Sequence, residues 1–158
     1  MPCYLFTYHG YATWLPDRAR GYVHRTQGLQ PQDDYLAQVY RHHQREPRVT
    51  FDSSMQPLLL EALQVAVKHL GITAHAIAIE PSHVHVLVSW THDRQCKSVR
   101  ASLRSAMSRA LNQAYQKRTW FADTPSRKQV KEQSHFNHLV ETYLPKHQGT
   151  VWVAPRKK

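Results

Sequence analysis

An α+β fold is the architecture this sequence predicts, and three observations predict it. β-prone runs stand at 3–9, 72–80, 83–90 and 127–133. Two longer stretches, about 54–70 and 95–117, repeat apolar residues at helical spacing. A length of 158 residues with 41% hydrophobic content fits one domain with a real core, since single domains commonly run to about 100–150 residues. One domain over 1–158 is expected, with a loop insertion at about 10–31 and a tail at about 150–158.

CYLFTYH (3–9) is aromatic and β-prone and reads as the first strand. Gly10 to about Pro31 reads as a loop carrying Trp14, Arg18, Arg20, Tyr22, His24 and Arg25. Loops beyond roughly 12–15 residues are usually functional or disordered. Asp33 and Asp34 mark the start of a polar helix to about Arg45, and Pro47 closes that segment. Asp52 or Ser53 can cap the next helix, whose Leu59, Ala62, Leu63, Ala66, Val67 and Leu70 form one apolar stripe. Gly71 stands where a helix C-cap glycine belongs. ITAHAIAIE (72–80) and HVHVLVSW (83–90) are strands joined by the turn Pro81-Ser82.

Residues 95–117 are helical, with Val99, Leu103, Ala106, Met107, Ala110 and Leu111 on the inner stripe. RKQVKEQ (127–133) reads as a last strand. Ser134 can cap a final helix to about His147, which Pro145 should distort or end. The tail TVWVAPRKK shows no partner in the sequence. The order β, helix, β, β, helix, β, helix is the ferredoxin-like βαββαβ sandwich, a mostly antiparallel sheet with helices on one face. The added C-terminal helix bears Tyr143.

The formal charge is +10, and it is unevenly placed. Residues 94–158 hold 14 basic and 3 acidic residues, net +11, and no acid lies between Asp93 and Asp123. Lys97, Arg100, Arg104 and Arg109 stand off the inner stripe of their helix. A field this one-sided points to a polyanion such as nucleic acid, against the plainer reading of a solvated basic face. Cys3 and Cys96 form neither a disulfide framework nor a zinc spacing. With no apolar run near the roughly 20 residues that span a bilayer and no signal-peptide pattern at the N-terminus, a soluble, cytoplasmic protein without a membrane partner is expected.

The sharpest motif is PSHVHVLV (81–88). Side chains alternate along a strand, so His83 and His85 share one face while Val84, Val86 and Val88 take the other. Two imidazoles at i, i+2 can ligate one divalent cation if a third ligand arrives from elsewhere. An isolated HxH is a weak signal in a chain with 12 His. Here apolar residues flank it, and buried polar groups need partners. In HLVETYLPKHQG, Tyr143 and His147 are spaced i, i+4, with Gln148 next. A lone tyrosine is more often a packed ring than a nucleophile, but beside a cation it can accept a phosphoryl group.

Together these features resemble the HUH single-tyrosine transposases, which include the TnpA-like insertion-sequence enzymes and the REP-associated tyrosine transposases. The resemblance runs over most of the chain: the opening strand, TWLP (13–16) and Arg20-Gly21, PSHVHVLVS (81–89), the basic helix and YLPKHQG (143–149). It implies that His83 and His85 bind Mg²⁺ or Mn²⁺ and that Tyr143 is the nucleophile. A third metal ligand would follow the tyrosine: Gln148 by residue type or His147 by helical phase. Pro145 between them departs from a regular helix. The implied activity is cleavage and strand transfer of single-stranded DNA through a 5′-phosphotyrosine, on DNA with hairpin or palindromic elements. Insertion-sequence members exchange the tyrosine helix in a homodimer, whereas REP-associated members need not. Lys97, Arg100, Arg104 and Arg109 would contact phosphates. Trp14 would stack on bases, with Arg18, Arg20 and Arg25 beside it.

Two other functions fit parts of the pattern. A non-catalytic nucleic-acid-binding module of the same fold would show the same charge. A metal hydrolase using the His pair is weaker, because neither acidic ligands nor an HExxH-like helix is present.

Overall fold

The computed structural model describes residues 1–13, 22–24, 28–43, 46–123 and 125–156. Strands β1 (Cys3–His9), β2 (Tyr22–His24) and β3 (Gly28–Gln30) precede helices α1 (Asp34–His43) and α2 (Met55–Leu70). Strands β4 (Thr73–Ile79) and β5 (His83–Ser89) follow, then α3 (Cys96–Ala114), β6 (Ser126–Gln129), α4 (Gln133–His138) and β7 (Thr150–Val153). The main sheet has the order β6-β1-β5-β4-β7 with every pairing antiparallel. Its first four strands follow the ferredoxin-like order the sequence predicts. β2 and β3 form a separate antiparallel pair within the loop insertion.

Local chemistry explains the boundaries. Asp52 Oδ1 accepts from the Ser54 and Met55 N–H groups at 2.9 and 3.0 Å, so Asp52 caps the start of α2. Gly71 ends it with φ +66°, a left-handed conformation that favours glycine. The α1 start is held by Asp33 Oδ1, which accepts from the Leu36 N–H at 2.8 Å. Ser134 does not cap α4, whose N-cap is Glu132 with no side-chain bond.

The sheet separates two apolar clusters. On one face, Phe6 and Tyr8 of β1 and Val84, Val86 and Val88 of β5 pack with Leu59, Leu63, Leu103, Met107 and Leu111 of α2 and α3. On the other, Leu5, Ala76, Ala78 and Leu87 pack with Val130, Leu139 and Leu144. The expected single helical layer is therefore two unequal ones. The segment after β6 crosses to the far side of the sheet from α2 and α3.

The tail also departs from expectation. β7 pairs with β4, from Ile79↔Thr150 to Ala76↔Val153. Gln56 Oε1 accepts from the Thr150 N–H and hydroxyl, both at 3.0 Å, tying the strand to α2. Gly149 lies so close to β4 that a Cβ there would sit 1.9 Å from the Ile79 carbonyl oxygen. Only glycine allows that approach.

Candidate active site

The site is built on the far face from α2 and α3. The β5 alternation that buries Val84, Val86 and Val88 in the helical core turns His83 and His85 to the opposite side. β1 runs alongside in register, pairing Thr7 with His85 and His9 with His83. A cover is supplied by the chain beyond α4. Leu139–Tyr143 forms a wide π-type turn, with the Leu144 N–H bonded to the Leu139 carbonyl. Such turns recur at functional sites. Pro145 has no N–H to give, and a short 3₁₀ turn, Leu144–Lys146, ends the helix. His147 then leaves in extended conformation, φ −65°, ψ 137°.

That irregular ending returns His147 to the sheet. One ring nitrogen from each of His83, His85 and His147 lies within 4.8 Å of the others. Ring centroids are 4.7 Å apart for His83–His85, 4.8 Å for His85–His147 and 5.8 Å for His83–His147. Tyr143 joins them edge-on, 5.7 Å from His85 and 5.1 Å from His147, with its side chain 41% exposed. Of the two residues predicted as alternatives, His147 stands in the cluster. Gln148 is exposed, and its backbone N–H donates to Glu80 Oε1 at 3.3 Å.

Hydrogen bonds orient the three rings alike. His147 Nδ1 lies 3.1 Å from both the Tyr143 and Leu144 carbonyls. Carbonyls only accept, so Nδ1 carries the proton and Nε2 keeps its lone pair. His85 Nδ1 lies 2.8 Å from Thr7 Oγ1, and His83 Nδ1 lies 2.8 Å from Ser82 Oγ. Hydroxyls can accept as well as donate, so the same tautomer is open to both. A histidine ligand typically has its second nitrogen bonded in this way. His85 is 6% exposed. Burial, reinforced by the neighbouring His83, His147 and His9, pushes its pKa down to about 3, so the ring is neutral at physiological pH and free to ligate. This donor set fits a divalent cation. Glu80 stands nearby, its Oε2 3.8 Å from His83 Nε2.

Thr7, Ser82 and Glu80 carry no site role in the reading of the sequence, where they stand only as strand and turn residues. Ser82 and Glu80 flank the turn into the HVH strand, which was their available signal. Thr7 reaches His85 only through strand register.

The basic helix sits elsewhere. α3 packs on the Val84–Val86–Val88 face, across the sheet from the imidazoles. Arg100 donates to the Pro125 carbonyl at 2.6 Å. Arg104 donates to the Phe121 carbonyl at 3.3 Å and lies 3.7 Å from Asp123. Both guanidiniums brace the turn after α3. Lys97 and Arg109 are exposed on the outer side. The α3 residues and the tyrosine site are therefore not brought together. Trp14, Arg18, Arg20 and Arg25 lie outside the described residues. Among the described residues, no helix is long and apolar enough to cross a membrane.

Comparison with known proteins agrees with this fold. The family model described as IS200-like transposase matches residues 36–125, a span that includes His83 and His85 and stops before Tyr143. A REP-associated tyrosine transposase bound to a REP hairpin superposes with TM-score 0.50 at 11% identity, over 88% of this chain and 62% of that one. The chain thus spans less than two thirds of that relative's length. A Deinococcus radiodurans R1 protein, described as a candidate transposase from its crystal structure, superposes with TM-score 0.53 at 12% identity. That match covers 94% of this chain and 92% of the other. No curated protein matches the sequence.

Proposed function

The chain belongs to the IS200-like transposase family, and from that premise we propose that it cleaves and rejoins single-stranded DNA through a covalent bond to Tyr143. One observation carries the reading: Tyr143 stands in ring contact with two of three convergent imidazoles. His83, His85 and His147 would hold the metal. Three nitrogen donors suit Mn²⁺ better than Mg²⁺, which prefers oxygen ligands. When bound, the cation would polarise the scissile phosphate and lower the cost of the charge that develops on it.

The remaining work falls to the protein. The Tyr143 phenol oxygen attacks phosphorus; a P–O bond to tyrosine forms as the P–O3′ bond breaks. The phenol proton passes, overall, to the departing 3′ oxygen. A second 3′-hydroxyl reverses the exchange and rejoins the strand, so the phosphodiester bond is conserved and no nucleotide triphosphate is consumed. The π-type turn and Pro145 keep Tyr143 and His147 on one side of the segment, and this positioning is the main contribution of the fold. Tyr143 reaches the histidines of its own chain, so cleavage within one protomer needs no exchanged helix.

DNA with hairpin or palindromic elements is the proposed substrate. Support comes from the charge block and from a protein of the same fold that binds a REP hairpin. Exposed Lys97 and Arg109 would add backbone contacts on the α3 face, and Trp14, Arg18, Arg20 and Arg25 would add contacts from the loop. The test is incubation with Mn²⁺ and single-stranded oligonucleotides carrying the palindromes that flank the gene. A band shifted on a denaturing gel, lost in Tyr143→Phe, is expected. Binding without any adduct would favour a non-catalytic DNA-binding module instead.

A further inference from the structure

A cavity of about 320 Å³ opens beside Tyr143, and neither His83 nor His147 lines it. Thr7 and Ser126 form its floor, facing one another in the β1–β6 register. Lys128, two residues along β6, shares their face of the sheet. His135 and His138 of α4 and Tyr143 itself close the other wall. His85 also reaches the lining, so the cavity and the imidazole cluster share a boundary. Among the described residues that line it there is no carboxylate. Lys128 brings a full positive charge, the hydroxyls and imidazoles can donate hydrogen bonds, and Leu5 and Leu139 supply an apolar patch. Its size falls at the lower end of small-ligand sites, which begin at about 300 Å³.

The composition is that of a site for one nucleotide: cationic and hydrogen-bonding for phosphate, apolar and aromatic for a base or sugar. We propose that this cavity seats the nucleotide next to the attacked phosphate, with Lys128 holding that nucleotide's outer phosphate and His135 and His138 lining its path. The inference rests on the function proposed for Tyr143, since a strand reacting there must continue along one side of the ring. β6 is an edge strand of the sheet, and the proposal has the strand leave past it. Arg127 alternates to the opposite face, beside Phe6. It has the same charge one residue away and does not line the cavity.

The experiment uses the full chain without metal, titrated with thymidine 3′,5′-bisphosphate, and reads binding from the ring signals of ¹³C-labelled histidines. The His135 and His138 signals should shift together on saturation. Lys128→Gln should weaken binding about tenfold, the scale of one charge-assisted hydrogen bond, and Arg127→Gln should leave it within about twofold. Equal loss in both variants would show a diffuse field and overturn the proposal, as would His135 and His138 signals that do not move. Because no cleavage occurs, the two readings fail separately. Tyr143 adducts with no bisphosphate in the cavity would remove this inference alone. Bisphosphate binding with no adduct on any substrate would overturn the strand-transfer reading and leave the cavity as a nucleotide site with no attacked phosphate beside it.

Discussion

The two faces of one sheet divide the labour of this molecule. On the α2–α3 face, β5 presents Val84, Val86 and Val88, all fully buried against leucines and aromatics. On the other, the same strand presents His83 and His85 to a short helix, a π-type turn and an extended exit. The first face is regular and sealed. The second is irregular and polar, and it leaves Tyr143 41% exposed. A period of two residues is enough to make one strand serve both, and the rigid face fixes the geometry of the reactive one.

Because the faces divide in this way, substitutions on the two should separate activity from stability. The largest effect belongs to Tyr143→Phe. Removing a nucleophile should lower adduct formation by several orders of magnitude, while urea unfolding stays within about 0.5 kcal/mol of the parent, as for surface changes. A comparable loss of stability would mean that the tyrosine is a packing residue.

Leu103→Ala tests the opposite face. Leu103 is fully buried, so the change should cost about 2–5 kcal/mol in a denaturant titration. Adduct formation per folded molecule should hardly change. Gly149→Ala probes the seam between the faces, because its Cβ would collide with the Ile79 carbonyl. A cost of about 1–3 kcal/mol is expected, together with weaker Mn²⁺ binding as neighbouring His147 is displaced. The smallest effect is on Thr7→Val, which keeps the shape and removes the partner of His85 Nδ1. Calorimetric Mn²⁺ affinity should fall about 10- to 100-fold, with a stability cost of about 1 kcal/mol for the buried nitrogen left unpartnered. An unchanged affinity would show that the hydroxyl does not orient the ring.

The same division explains what the sequence made legible. The His83–His85 pair and the helical stripes are local periodicities, and α2, β4, β5 and α3 stand within a few residues of their predicted bounds. The i, i+4 spacing of Tyr143 and His147 was visible too, although the residues meet through a π-type turn and Pro145 rather than a regular helix. What stayed hidden depends on long-range register. Thr7 meets His85 across 78 residues of chain, and β7 finds β4 only because Gly149 permits close approach. Net charge gave no face either. The basic helix lies across the sheet from Tyr143, and its Arg100 and Arg104 hold carbonyls of the following turn.

The central claim, that Tyr143 takes the DNA strand onto itself using the histidines of its own face, is met most directly by mapping the linked residue. After reaction with Mn²⁺ and single-stranded DNA, nuclease trimming and tryptic digestion, mass spectrometry should find the residual nucleotide on the peptide 132–146, at Tyr143. His85→Ala should abolish that modified peptide while leaving the protein folded. Nucleotide found on any other residue, or undiminished modification in His85→Ala, would contradict the account.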